Sequence, residues 1–337
     1  MPEAVSLFSG SLSSSIATEI ALNHSELDRV VILTFRSPFF KHYDGRKALA
    51  NRLWPDSRFR SKSVKRQTKK IASTGEELSN GRGDYCERCR GALLKAGKDF
   101  IERVKADLLV SGENRGKNPL KERGDLAELD ERVGLEGLVF RPLASRGTVS
   151  VAEKENWIAS EYENIEAKRR ERLGDLAEEL GLDPEEEYFG SEKRCKLASS
   201  RYRQRLRDLT GEAGFNINDL RLLDFENYYK IAPDTKVVLG RNPLEKRELH
   251  NFFLPRDLRF YLPTREGPMA LVRSDWEDKH DSSVEQLVEL AARITVAESG
   301  ADEEVLVPVN YRFEHEDDTY RVDVPPLEED KLKEFSI

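Results

Sequence analysis

The chain has 337 residues, of which 38% are hydrophobic and 35% charged, with a mean hydropathy of −0.64. This length suits about two domains and argues against a small disulfide-stapled module. The composition argues against a helical membrane protein, since no apolar run approaches the roughly 20 residues of a bilayer span. The net charge of −8 conceals an asymmetry: residues 276–337 hold 18 acids and 6 bases, which leaves a mildly basic body and keeps a polyanionic partner in play. The N-terminus has no basic n-region or small-residue cleavage site, so no secretory signal is expected and the cytoplasm is the expected location.

In chain order, Ala4–Phe8 reads as a buried strand, Ser9–Ser15 as a serine- and glycine-rich loop, and Ile16–Leu22 as a helix. Further buried-type runs at Val30–Phe35, Leu108–Ser111 and Leu138–Leu143 alternate with stretches of helical character. That alternation predicts an α/β fold with a parallel sheet and helices on both faces. Residues 153–180 suit one or two solvated helices ending near Gly181. Beyond them, strands are expected at Leu222–Ile231, Thr235–Leu239 and Met269–Val272, a helix at Val284–Glu298, and a hairpin at Val305–Phe313 with Thr319–Val324. The expected domains are residues 1–183 for nucleotide binding, 184–220 as a basic cysteine-containing connector, and 221–337 as a smaller α+β domain.

Three features carry chemistry. The loop Ser9-Gly10-Ser11-Leu12-Ser13-Ser14 puts backbone N–H groups and hydroxyls at a helix N-terminus, where an anion such as phosphate is stabilised; a plain strand-to-helix turn with a serine cap is the alternative. Cys86 and Cys89 form a Cys-x-x-Cys pair, which with Cys195 makes three thiols. They could hold zinc, with a fourth ligand from His24, His42, His250, His280 or His315, or a 4Fe-4S cluster with one open iron. Basic segments at Arg58–Lys70, including Lys65, Arg66, Lys69 and Lys70, and at Lys193–Arg207, including Arg201, Arg203 and Arg205, suit a phosphate-backbone footprint. Gly240-Arg241-Asn242 adds donors for a phosphate or base edge, or forms a turn tied to Glu245.

The segment Leu7-Phe8-Ser9-Gly10-Ser11-Leu12-Ser13-Ser14 resembles the Ser-Gly-Gly-x-Asp-Ser loop of the PP-loop ATP pyrophosphatase superfamily, with Ser11 where the family has its second glycine and Ser13 where it has an aspartate. The order Cys-x-x-Cys, helix, Leu-Val-Ser-Gly-Glu, Asn118-Pro119, Arg141-Pro142-Leu143-Ala144-Ser145 and Cys195 resembles the tRNA thiouridylases, the 4-thiouridine synthetase-like branch. Lys236–Asn242 with Glu245 is similar to the RNA-binding domain of NFACT proteins.

The resemblance implies an ATP-dependent tRNA sulfurtransferase: ATP and Mg2+ adenylate a uridine carbonyl oxygen, pyrophosphate leaves, and sulfur displaces AMP. It implies that Ser9–Ser14 hold the phosphates and that Gly112 and Glu113 line the nucleotide site. Cys86, Cys89 and Cys195 would ligate a 4Fe-4S cluster, or Cys86 and Cys195 would act as catalytic thiols through a persulfide. Lys65, Arg66, Lys69, Lys70, Arg201, Arg203, Arg205 and Arg241 would contact tRNA. Ser13 supports an alternative, a degenerate PP-loop protein that binds tRNA without adenylation, unless Glu113 or Asp84 supplies the missing carboxylate. A small-molecule nucleotide α-hydrolase with structural zinc is the third reading.

Overall fold

In a computed structural model, residues 2–73, 82–113, 123–144, 150, 170–186, 188, 195–211, 214–277, 279–302 and 305–337 are described. Asn118-Pro119, Ser145, Lys193 and Arg194, and the expected helical stretch 153–169 lie outside them. The chain divides into two compact units, Met1–Ser200 and Arg201–Ile337.

The first unit is built on five parallel strands: β1 (Glu3–Leu7), β2 (Arg29–Arg36), β3 (Arg58–Ser63), β4 (Leu108–Ser111) and β5 (Val139–Phe140). Their order across the sheet is β3-β2-β1-β4-β5. Because side chains alternate along a strand, neighbouring residues feed opposite faces. Ala4, Val30, Ile32, Leu108 and Val110 pack with α1 (Leu12–Leu22), α2 (Tyr43–Leu53) and α6 (Arg170–Glu179). Val5, Val31, Leu33 and Leu109 pack on the other side with α4 (Arg82–Val104) and α5 (Arg123–Val133). Covering both faces is what keeps these strands apolar throughout. The α3 helix (Lys65–Ser73) buries Thr68, Ile71 and Ala72 and turns the rest outward.

The expected fold class is the observed one, with β4 at the expected residues and β5 reduced to two. The edge strand β3, whose sequence Arg-Phe-Arg-Ser-Lys-Ser is mostly charged or polar, was not expected. Charge on an edge strand blocks pairing with another chain, and it also hides the strand from a hydrophobicity reading.

The second unit is a six-stranded antiparallel sheet ordered β11-β10-β8-β9-β7-β6. Its strands are β6 (Asn227–Ala232), β7 (Thr235–Gly240), β8 (Leu258–Tyr261), β9 (Met269–Arg273), β10 (Val307–Phe313) and β11 (Tyr320–Val324). The expected hairpin is β10–β11. Helix α10 (Asp281–Ala297) covers one face through Val288, Ala291, Ala292 and Ile294, packed with Val237, Leu258, Phe260, Val272 and Val309. Three more helices, α7 (Ser200–Thr210), α8 (Ile217–Leu222) and α9 (Pro243–His250), precede or interrupt the strands, and α11 (Glu329–Phe335) follows them. The residues expected as a connector are therefore divided: 184–200 fall in the first unit and 201–220 in the second.

Candidate functional site

In an open parallel sheet, ligands bind at the carboxyl ends of the strands where successive connections diverge. Here β2 and β3 lie to one side of β1, and β4 and β5 to the other. The divergence therefore falls between β1 and β4, and the residues leaving them are Phe8–Ser14 and Gly112-Glu113.

The loop after β1 is organised by its own hydroxyls. Ser11 caps α1 in a reciprocal box with Ser14. The Ser9 hydroxyl lies 3.1 Å from that of Ser11 and donates to that of Ser14 at 3.2 Å. Ser14 in turn donates to the Ser11 carbonyl at 2.9 Å, and Thr18 donates to the Ser14 carbonyl at 2.7 Å. Gly10 takes a φ of +79°, a left-handed conformation natural to glycine. No acidic residue sits in the first turn of α1, so nothing there neutralises the positive end of the helix dipole. Gly112 presses against this loop: a Cβ on it would stand 2.3 Å from the Ser13 carbonyl oxygen and 2.5 Å from the Ser14 Cα. The pairing of Gly112 with the loop thus appears in the geometry.

Glu113 behaves differently from the expectation. It is 5% exposed, and both of its oxygens are engaged. Arg141 Nε donates to Oε2, and Arg90 Nη1 lies 2.6 Å from Oε1 as an ion-pair contact rather than an aligned hydrogen bond. Arg141 also grips Asp130 with two hydrogen bonds of 2.5 and 2.7 Å. Burial alone would raise the Glu113 pKa, but Arg141 and Arg90 together hold it below the usual carboxylate range. Burial dominates at Asp130 and raises its pKa despite Arg141. Glu113 is thus committed to an internal network and offers no free carboxylate to a metal ion, which corrects the idea that it replaces the missing loop aspartate. The expected Arg141-Pro142-Leu143 segment marked one member of this network. Arg90 and Asp130 had no motif to reveal them.

Cys86 and Cys89 lie three residues apart on α4, on one helix face. Cys195 reaches them from far along the chain. It forms an isolated antiparallel bridge with Phe40, just after β2, and the Lys196 N–H donates to the Phe39 carbonyl at 2.8 Å. None of the three is in a disulfide. Part of Cys89 reaches solvent, yet its thiol is enclosed. Burial first, then the neighbouring Cys195 and Cys86 sulfurs, raise its pKa well above the usual thiol value, while Arg90 opposes the shift. Cys89 thus stands within electrostatic reach of both other expected thiols. In donor chemistry they suit a soft, thiolate-bound metal or cluster, whose charge would relieve that mutual repulsion. Among the described residues, however, no set of three or more His, Cys, Asp or Glu is spaced to hold a metal ion.

The basic residues separate into two kinds. Lys65, Arg66, Lys69 and Lys70 are all exposed on α3. Arg201 is exposed and Arg203 half-buried on α7. Arg205 is a correction: it is 1% exposed and faces inward beneath the Tyr228 ring at 4.8 Å. It donates to the carbonyls of Ile337, Leu223, Phe225 and Glu226 at 2.5, 3.0, 2.5 and 3.0 Å. Burial, then Arg201, pull its pKa down to about 10, so it stays charged at neutral pH. Four of its five N–H groups are spent on these carbonyls and the side chain is buried, so it serves the packing of the second unit rather than a phosphate at the surface. Arg241 keeps a half-exposed side chain, but its backbone N–H donates to Glu245 at 2.8 Å. Asn242 Oδ1 caps α9 by accepting from the Leu244 and Glu245 N–H groups and its Nδ2 donates to Glu245 at 2.7 Å, so the Asn242 amide serves the turn while the Arg241 guanidinium lies 3.6 Å from Glu298 and stays half-exposed.

Residues 228–336 match the family model described as the NFACT protein RNA binding domain. Over these residues the second unit is similar to an NFACT-type RNA-binding domain. No curated protein was found to match the sequence. Among solved structures, the chain is similar to a predicted subunit of a tRNA methyltransferase from Methanocaldococcus jannaschii, at 16% identity, TM-score 0.34, and coverage of 58% of this chain and 96% of that one. It is similar to the C-terminal part of the fibronectin/fibrinogen-binding protein from Streptococcus suis at 15% identity and TM-score 0.29, covering 81% and 98%. A third is a 4-thiouridine synthetase–RNA complex with bound ATP, at 18% identity and TM-score 0.34, covering 53% and 51%. Likenesses this distant carry no functional argument of their own. The NFACT-type domain and the loop at the strand divergence do. Among the described residues, no helix is long and apolar enough to cross a membrane.

Proposed function

We propose that this chain is an ATP-dependent tRNA sulfurtransferase, in which the Ser9–Ser14 loop binds the ATP phosphates, Mg2+ accompanies the nucleotide, and the thiols of Cys86, Cys89 and Cys195 serve sulfur delivery in the cytoplasm. The observation that carries this reading is Cys195: a segment remote in sequence is pinned to Phe40 so that a third thiol joins the Cys-x-x-Cys pair. Three gathered thiols are more than a structural turn needs. A persulfide on one cysteine is the sulfur carrier their present spacing favours, whereas a 4Fe-4S cluster or zinc would need the three sulfurs to draw together into a metal-binding set. The chain's own residues bind phosphate at the α1 N-terminus, keep Gly112 bare so that loop and strand meet, and lock Glu113 between two arginines behind the nucleotide site. The domains follow the two compact units, with the NFACT-type domain presenting tRNA.

A second reading rests on a specific observation. Ser13 replaces the loop aspartate, and Glu113 is held in ion pairs, so the described site shows no free carboxylate for Mg2+. On this reading the protein binds tRNA without adenylating it. Anaerobic protein incubated with ATP, bulk tRNA and sulfide distinguishes the two. The sulfurtransferase reading expects AMP and pyrophosphate release together with thiouridine in digested tRNA. Tight tRNA binding with neither product would leave the second reading.

A further inference from the structure

A cavity of about 440 Å3 opens on the β8–β9–β10 part of the second sheet. Along these strands, Leu258, Phe260, Ala270 and Val309 belong to the core under α10. The residues between them, Arg259 and Tyr261 on β8, Met269 on β9 and Arg312 on β10, line the cavity on the opposite face. Register brings them together, with Arg312 opposite Arg259 and Met269 opposite Tyr261. Lys246 from α9 and Arg265 from the β8–β9 loop complete a group of four cations, against one acid in the lining, Glu266.

These cations are unevenly committed. Arg259 donates to Glu314 at 2.7 Å and contacts His250 Nε2 at 3.1 Å, yet its buried Nε has no hydrogen-bond partner. Among the described residues, Lys246, Arg265 and Arg312 enter no ion pair. A concentration of unpaired positive charge in an acidic chain, beside an aromatic ring and an apolar floor, is the chemistry of a nucleotide: anionic phosphate at one end, stacking base at the other. The volume admits one nucleotide. A duplex keeps its bases stacked and paired, so it presents nothing that could enter.

We propose that this cavity holds one unpaired nucleotide of a bound RNA, with its phosphate on Arg312, Lys246 and Arg265 and its base against Tyr261 and Met269. The inference rests on the reading of this domain as RNA-binding, and it adds the place and the single-stranded character of the contact.

The test measures affinity of the full chain, at several salt concentrations, for a short labelled single-stranded RNA and for the same sequence as a duplex. Tyr261→Ala is expected to weaken single-strand binding about tenfold and leave duplex binding unchanged, whereas Tyr261→Phe, which keeps the ring, binds as the wild type. Arg312→Ala is expected to weaken binding and lower the salt slope by about 0.7. Met269→Trp fills the cavity and is expected to abolish the single-strand preference. Thermal melting of each variant shows that it is folded. If every variant binds single strands as the wild type does, the cavity assignment is overturned while RNA binding stands. Equal loss for single strand and duplex overturns the unpaired-nucleotide assignment. A wild-type chain that binds neither RNA overturns this inference and the RNA reading together.

Discussion

Gly112 shows how a single hydrogen can decide a site. The methyl group of Gly112→Ala would lie inside van der Waals distance of the Ser13 and Ser14 backbone, which is not a flexible side-chain tip that can swing away. Strain of about 1–3 kcal/mol is expected, and because it falls on the loop proposed to hold the ATP phosphates, calorimetry should show ATP affinity reduced by tenfold or more. Arg205 makes the opposite point. Read in sequence it belongs to a basic run; in three dimensions it donates to four carbonyl oxygens from inside the second unit. Arg205→Ala should cost about 3 kcal/mol or more in denaturant unfolding, whereas Arg201→Ala should change stability little and act on RNA affinity. Glu113 has a pH signature. Its pKa is depressed in the folded state, so the stability it contributes is present above the unfolded carboxylate value near 4.3 and is lost as pH falls through the lower folded value. Glu113→Gln should remove that acid-range slope and, by leaving Arg141 and Arg90 short of a counter-charge, destabilise by about 3–5 kcal/mol.

At the scale of elements, the legible ones were those whose burial is simple. Strands β1, β2 and β4 are buried on both faces, and helix α10 shows a plain apolar stripe, so hydrophobic pattern alone located them. Strand β8 has the sequence Leu-Arg-Phe-Tyr, alternating core residues with cavity-lining ones. Its short length and its arginine masked it, as charge masked β3. The residues that made these strands hard to read are those facing solvent or a cavity. Helix α3 leaves the four cations proposed for RNA exposed, with Thr68, Ile71 and Ala72 turned inward. Replacing Lys65, Arg66, Lys69 and Lys70 together with alanine should lower the salt slope of single-stranded RNA binding by up to about 3 without altering the melting temperature.

On the scale of the whole molecule, the boundary between compact units falls at residue 200, some way before the expected start of the C-terminal domain at 221. The difference is physical. Tyr202 donates to the Leu220 carbonyl at 2.7 Å, and Arg205 fastens α7 to the start of the second sheet, so the basic segment is a structural part of the second unit. A fragment of residues 201–337 should unfold cooperatively by circular dichroism, and one of residues 221–337 should melt at a markedly lower temperature or not at all. Of the candidate site, the loop and the cysteines were readable because their residue types are rare in that pattern. The ion-pair network was not, since arginine and aspartate are common everywhere and only the meeting of β4, β5, α4 and α5 gives them meaning.

The bridge between Phe40 and Cys195 also imposes an order in time. Cys86 and Cys89 are in place as soon as α4 forms, but their third companion arrives only after the remainder of the first unit has been synthesised and has closed around β2. Until then the chain carries an exposed vicinal dithiol, open to oxidation or to whichever thiophilic ion arrives first. If the three thiols act together as proposed, the yield of active protein should depend more on the redox conditions during synthesis than on those after folding.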